Sequence, residues 1–352
     1  MNLTVAICTW NRCSLLKKTL DQMKKLVIPE GVEWELLVVN NNSTDSTEKL
    51  IKSFCGSLPI RYFFEPRRGK SNALNTALRN AGGEYILWTD DDVLVDPGWI
   101  SGYCEAFERH AEAGFFGGPI EPWFEGMKPQ WLAAIMAQVS TAYALRDLGD
   151  RPFTFTREVS PFGANFAVRK KEQLLFPYDP SLGPRPDRPL RGEETAVIFS
   201  MLDAGIEGWW VPGARVRHHI PQARQTTRYL RSYYFGYGEE LAARGLCGFK
   251  DYVELFRAPR FLWRRAMVAE LRFRLRRYLS DPTVWIEDLK LSALTCGQIS
   301  GCMARRSQGQ GWEESVSGRV FCSLRHRFTE VPGNGIKPGA DEQGRCVPET
   351  DT

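Results

Sequence analysis

The sequence predicts an α/β protein, a mostly parallel Rossmann-like sheet followed by a C-terminal helical appendage. Strand-like and helix-like segments alternate through residues 3–89. The strand segments are near-continuous apolar runs, the pattern of strands covered on both faces. Beyond Pro221 the chain turns Arg-rich and helical to about Met303.

The elements follow in order. Residues 3–9 are an apolar, β-branched run, and residues 15–26 carry helical spacing at Leu15, Leu16, Leu20, Met23 and Leu26. Residues 34–39 form a second strand that ends in a polar cluster at 40–46, where Ser43 or Asp45 can cap a helix bearing Leu50, Ile51 and Phe54. A third strand (60–64), a third helix (70–80) and a fourth strand (85–89) follow. Residues 114–161, with Trp123, Trp131 and Tyr143 among Pro and Gly, read as extended and partly helical. Residues 162–168 form a strand, and 193–204 a helix with Ala196, Val197, Phe199, Ser200 and Leu202 inward. A strand over 209–216 ends at His218-His219. The domains expected are 1–220, an appendage over 221–306 and a disordered tail over 307–352.

Composition narrows the class. The 43% hydrophobic and 25% charged content is ordinary for a soluble globular protein with a sizeable core. Nine cysteines without a CxxC pair suit a reducing cytosol better than a disulfide framework. The opening MNLTVAICTW runs straight into a strand, which argues against a signal peptide, and no apolar window is long enough for a membrane span. Residues 221–306 carry 16 Lys/Arg against 8 Asp/Glu, so the net charge of +4 is concentrated late in the chain.

A parallel sheet places ligands at the carboxyl ends of its strands. Three polar clusters fall there: Thr9-Trp10-Asn11-Arg12, Asn40-Asn41-Asn42 and Asp90-Asp91-Asp92. Three consecutive aspartates repel one another unless neutralised, and a divalent cation is the natural partner. Oxygen ligands without a Cys/His cluster favour Mg²⁺ or Mn²⁺, completed by substrate phosphates. A solvated acidic turn is the plainer alternative.

Taken together, VAICTWNR, VVNNNSTD, RRGKSNALNTAL, ILWTDDDVLVDPGWI, PFGANFAVRK and GEETAVIFSMLDAG, in this order over about residues 1–220, resemble the family-2 inverting glycosyltransferases with the glycosyltransferase A fold. The resemblance implies a nucleotide-sugar-binding catalytic domain, with a DXD motif in the aspartate triplet. Thr9, Asn11, Arg12, Asn40 and Asn42 would line the pocket for base and ribose. Asp90 would touch ribose or diphosphate, Asp92 would hold the metal, and Asp91, counted with the substrate-binding residues, is the least important of the three. Lys70, Ser71 and Asn75 would face the nucleotide at a helix start suited to phosphate. Lys70 is also explained as a solvated helix-start lysine, and Asn75 by a local helix–loop hydrogen bond. The family usually carries Asp where Asn40 stands, which leaves the donor base open with uridine first. Glu194 would be the general base and Glu193 would orient the acceptor, at a helix N-terminus that favours anions. The family's second acid is usually the shorter Asp.

Either of His218 and His219 can complete the metal shell or contact the diphosphate; strand alternation sends one inward, with His218 the metal candidate. Trp123, Trp131, Trp209 and Trp210 are core residues or sugar-stacking platforms. Residues 257–279 hold eight Arg against Glu270 alone, with Leu262, Ala266, Ala269, Phe273 and Arg276 on one stripe. That helix either lies on an anionic membrane, peripheral to the inner face of the cell membrane, or packs by its stripe on the catalytic domain. Nucleic acid is not an expected partner, since no reader motif accompanies the charge. The expected partners are a nucleotide-sugar donor and a saccharide or lipid-linked acceptor, in polysaccharide or glycoconjugate biosynthesis. A non-catalytic nucleotide-sugar or glycan-binding protein on this scaffold is the alternative, but it would have no need of a base. A nucleotidyltransferase would need a glycine-rich loop that CTWNRCSLL lacks.

Overall fold

The structure is a computed structural model that describes residues 1–183, 192–243 and 253–307, with side chains to 304. Ten strands place the site: β1 (Asn2–Thr9), β2 (Glu33–Asn40), β3 (Ile60–Phe64), β4 (Tyr85–Asp90), β5 (Val93–Val95), β6 (Phe115–Gly117), β7 (Ile120–Phe124), β8 (Asn165–Arg169), β9 (Gly208–Trp210) and β10 (Val216–Ile220). The main helices are α1 (Cys13–Met23), α2 (Thr47–Phe54), α3 (Lys70–Asn80) and α4 (Trp99–Arg109). After the short α5 (Gln130–Ala134), α6 (Met136–Val139) and α7 (Lys170–Gln173) come α8 (Glu193–Asp203), α9 (Thr227–Ala243), α10 (Arg260–Leu279) and α11 (Pro282–Ser307).

A seven-stranded sheet runs in the order β3-β2-β1-β4-β8-β6-β9. The first four strands are parallel, as their apolar runs predict, while β8 is antiparallel to both β4 and β6. Successive strand residues point to opposite faces. Val5, Ile7, Leu36, Val38 and Leu87 meet Leu16, Leu20 and Phe107 on one side. Ala6, Leu37, Val39, Ile86 and Trp88 meet Leu74, Ala77, Val197 and Phe199 on the other. Each such Leu, Ile, Val or Phe contributes about 1.5–3 kcal/mol by burial, so both faces are strongly held.

A second sheet of order β5-β10-β7 stands beyond the aspartate turn. It revises one expected strand. Residues 209–216 do not run straight: Pro212 and Gly213 break them into β9, which joins the large sheet, and β10, which joins the small one. His218 and His219 therefore lie inside β10 rather than past a strand end. The strand expected over 162–168 begins only at Asn165. In α8 the buried face is Val197, Ile198, Phe199 and Met201, whereas Ser200, expected inward, is exposed. The first helix ends at Met23, short of Leu26.

The C-terminal helices share the protein's largest core. Phe273, Trp285, Ile286 and Leu289 cluster with Leu230 and Tyr234, and Trp131 packs on Trp285 at 5.7 Å. Gln138 donates to the Thr283 carbonyl, and Lys290 donates back to the Gln138 carbonyl. The stripe Leu262, Ala266, Ala269 and Phe273 is buried, so it packs within the protein and does not face a membrane. Among the described residues, no helix is long and apolar enough to cross a membrane. Of the tail expected over 307–352, Ser307 closes α11 and the residues from 308 onward lie outside the described residues.

Candidate active site

Four segments converge on the carboxyl edge of the parallel strands. Because β1 pairs with both β2 and β4, Thr9 sits opposite Asn40, and Cys8 opposite Asp90. This register brings the N-terminal end of α1 against the aspartate turn. Thr9 donates to Asp91 at 2.7 Å, and Arg12 reaches both Asp91 (2.9 Å) and Asp92 (2.8 Å). Thr19 donates to the Asp91 carbonyl at 2.9 Å. Asp91 is thus a buried anchor that fixes the turn. Burial raises its carboxyl to about 6 although Arg12 opposes the shift. Burial also works against the charge on Arg12, but Asp91 and Asp92 outweigh it and hold the guanidinium above its usual range.

The small sheet supplies the next component. β10 pairs antiparallel with β5, placing His218 opposite Val93, and the His219 amide donates to the Asp92 carbonyl at 2.9 Å. Alternation then turns the two imidazoles to opposite sides. His218 Nε2 lies 3.5 Å from Asp92 Oδ1, while His219 packs on Trp123 with ring centroids 4.7 Å apart. Asp90, Asp92 and His218 each offer a ligand atom, all within 4.8 Å of one another. His218 Nδ1 is buried with no hydrogen-bond partner. Two carboxylates and an imidazole suit Mg²⁺ or Mn²⁺, so the residues present fit a divalent cation.

On the other side of the triplet, the N-termini of α3 and α8 meet. Lys70 opens α3 after Gly69, whose φ of 125° only glycine adopts readily, and Glu193 opens α8. Lys70 Nζ bridges Asp90 Oδ1 at 2.9 Å and Glu194 Oε1 at 2.7 Å, with Glu193 at 3.8 Å. Burial disfavours its ammonium, yet the three carboxylates hold it well above the usual lysine range. Burial likewise pushes Asp90 up, but Lys70 prevails and keeps it below the ordinary carboxylate value. Glu193 is 3% exposed, and its Oε2 lacks a partner. Burial first, and the neighbouring Glu194 second, raise it to about 8. Space for Glu194 comes from Gly163, where a Cβ would stand 2.5 Å from the glutamate Cγ. PFGANF thus takes part in the site, a contact its composition does not announce.

Other residues singled out in the sequence hold loops. Asn40 is 1% exposed; its oxygen accepts the Ser43 amide at 2.9 Å and its nitrogen donates to Tyr62. Asn11 accepts the Thr44 amide, and Asn42 donates to the Pro66 carbonyl. Ser71 donates to the Leu182 carbonyl at 2.7 Å. Asn75 clasps Tyr178 by two bonds, accepting its amide and donating to its carbonyl. These two tie α3 to the segment leading toward α8. Asn41, not selected from the sequence, is the clamp of its cluster: it donates to the Glu65 and Arg67 carbonyls and accepts the Gly69 amide. Among the tryptophans, Trp209 stacks on His110 and the 1%-exposed Trp210 packs on Phe153, whereas Trp123 is half-buried beside His219.

Five carboxyl groups (Asp90, Asp91, Asp92, Glu193 and Glu194), of which burial holds Glu193 toward its neutral form, stand here against Arg12 and Lys70. An anionic ligand approaching such a site needs added positive charge, which a cation on Asp90, Asp92 and His218 would supply.

The sheet order, the acidic turn after β4 and the carboxylate pair at a facing helix start are those of a mostly parallel α/β fold with polar groups gathered at the strand carboxyl ends. Residues 4–162 match the family model described as glycosyl transferase family 2. Two relatives illustrate the likeness. The succinoglycan biosynthesis protein ExoM of Rhizobium meliloti (strain 1021) is 25% identical over 251 residues, spanning 68% of this chain and 74% of that protein. The poly-β-1,6-N-acetyl-D-glucosamine synthase of Staphylococcus epidermidis is 27% identical over 113 residues, spanning 32% of this chain and 27% of that protein. The crystal structure of residues 1–349 of TarS from S. aureus superposes with a TM-score of 0.48 at 14% identity, over 90% of this chain and 95% of that one.

Proposed function

We propose that the protein transfers a sugar, with inversion, from a nucleoside-diphosphate sugar to a saccharide or lipid-linked acceptor in polysaccharide or glycoconjugate biosynthesis. The observation that carries this reading is the Lys70 bridge, which sets the candidate base Glu194 and the donor-side Asp90 on one ammonium, 2.7 and 2.9 Å away. Donor and acceptor chemistry must meet at one carbon, and this bridge holds the two sides together. The names of the relatives support a glycan product.

Asp90, Asp92 and His218 would hold Mg²⁺ or Mn²⁺, which would supply positive charge to a leaving diphosphate. The chain's own groups do the rest. Arg12 and Thr9 keep the aspartate turn in place through Asp91. Glu194 accepts the proton of the acceptor hydroxyl as its oxygen attacks the anomeric carbon, and the bond from that carbon to the diphosphate oxygen breaks with its electron pair leaving on the diphosphate. Glu193, raised to about 8, is protonated at neutral pH and is suited to donate a hydrogen bond rather than take the proton. A uridine donor is the first to test, although Asn40 spends its oxygen on the Ser43 amide. A lipid-linked acceptor would place the protein on the inner face of the cell membrane.

Purified protein incubated with Mn²⁺ and a panel of nucleotide-sugars should release nucleoside diphosphate from at least one donor. Asp92→Ala should reduce that release about 100-fold or more, the scale of losing one preorganised charge contact. No release from any donor, or full activity in Asp92→Ala, would overturn the proposal.

A further inference from the structure

The basic helix α10 is apolar on two opposite sides. Its inner stripe is buried, as described. On the outside, Met267, Leu271, Leu275 and Leu279 recur every four residues and are 66%, 61%, 57% and 81% exposed, joined by Tyr278 at 82%. At about 100° per residue these five project away from the inner stripe. Arg274 borders the outer row on one side, and Arg272 and Arg265 border it on the other. A packed helix in a water-soluble protein normally turns polar residues outward. Here the outward side is a second hydrophobic row framed by cations.

Of the bordering arginines only Arg274 is paired with an acid among the described residues, and the charge on the other edge is not cancelled locally. Glu270, the one acid of the helix, is spent on Arg231 (2.8 Å), Arg274 (2.9 Å) and Ser292. Arg264, Arg265 and Arg272 have no acidic partner among the described residues. Beside the row, between α10 and α11, opens a groove of about 700 Å³ walled in part by Trp263, Met267, Leu271, Ile299 and Met303. A flat apolar row bordered by arginines on both edges matches a bilayer interface, where acyl chains take the row and phosphates take the guanidinium groups.

We propose that the outer face of α10 is a docking surface for an anionic lipid bilayer, entered by Met267, Leu271, Leu275 and Tyr278. This deepens the reading of a lipid-linked acceptor given above and reverses the face expected from the sequence, since the stripe first expected to face lipid is internal. The groove beside the row has room for part of an acyl chain.

The test is flotation of the full-length protein with phosphatidylcholine vesicles, with and without about one-third phosphatidylglycerol. The protein should float with the anionic vesicles at low salt and about tenfold less with the neutral ones or at high salt. The double variant Leu271→Glu/Leu275→Glu should lose about tenfold in vesicle binding. Both side chains are exposed, so its melting temperature should match the parent, and Met127→Glu, at a 90%-exposed site elsewhere, should float normally. Nucleoside diphosphate release, measured in parallel, should be unchanged in the double variant, which separates this proposal from the catalytic one. Failure of the parent to float, or equal flotation of the double variant, overturns it. So does light scattering that shows a dimer in the parent and a monomer in the double variant, because the row would then be covered by a second copy.

Discussion

Glu193→Gln probes the electrostatics of the site without removing the candidate base. In the folded protein the Glu193 carboxyl is raised from 4.5 to about 8, first by burial and then by Glu194. Between those values the folded state keeps a proton that the unfolded chain has released. The native state therefore binds more protons, and stability falls as pH rises through this window. A difference of about 3.5 in pKa is worth about 5 kcal/mol when fully expressed. Lys70, 3.8 Å away, can turn toward the ionised carboxylate and reduce that to a few kcal/mol. Glutamine carries no titrating proton, so the variant should lose this slope. Its buried amide costs on the order of 1 kcal/mol at every pH, which shifts the whole curve without tilting it. Thermal unfolding of both proteins at pH 5, 7 and 9, with a chelator present, separates the two effects. With roughly 2 °C per kcal/mol in a chain of this size, the parent should lose several degrees more than the variant between pH 5 and pH 9. Titration of Asp91 is common to both proteins and cancels. If the two melting curves stay parallel across the range, Glu193 is ionised throughout and the assignment of Glu194 as the base loses its electrostatic support.

Glu194→Gln should lower sugar transfer by about 10²–10⁴-fold while donor binding, followed by calorimetry, stays within about twofold; a rate within about tenfold of the parent would exclude Glu194 as the base. Asn165→Leu should destabilise the protein by on the order of 5 kcal/mol. The Asn165 side chain is fully buried, donates to the Pro119 and Ala214 carbonyls, and accepts from Trp99 and Tyr103. Leucine strands all four partners, and a loss below about 2 kcal/mol in chemical denaturation would refute that count.

Local periodicity carried the first half of the fold well. The bounds 60–64 and 70–80 are those of β3 and α3, because a short apolar run and a helix flanked by Gly and polar residues leave little choice. What was not legible depends on partners far along the chain. The direction of β8 has no signature in its own residues; it is set by pairing with β4, about 80 positions earlier. The small sheet was missed for the same reason, since β5 has only three residues and is recognisable only once β10 pairs with it. The site shows the same division. Asp90, Asp92 and Glu194 stand out as charges that need a purpose. Asn41 and Gly163 act through a clamp and a vacant Cβ, and neither role can be seen without neighbours. The aspartates also needed less from a cation than their spacing implied, since Arg12 and Lys70 already face all three.

The pairing of β10 with β5 has a consequence for folding order. Asp90 and Asp92 belong to a unit of neighbouring strand–helix steps, whose contacts are short in sequence. His218 joins them only after about 125 residues of chain have been closed into a loop, and such non-local contacts form slowly. A chain that has assembled its first four strands alone would own two of the three candidate ligands, with the imidazole still absent. Slipping β10 by one residue would bring Arg217 or His219 opposite Val93 and turn His218 away. Tight cation binding would then report the arrival of the last strand in the correct register, and it would serve as a clock for the completion of the native state.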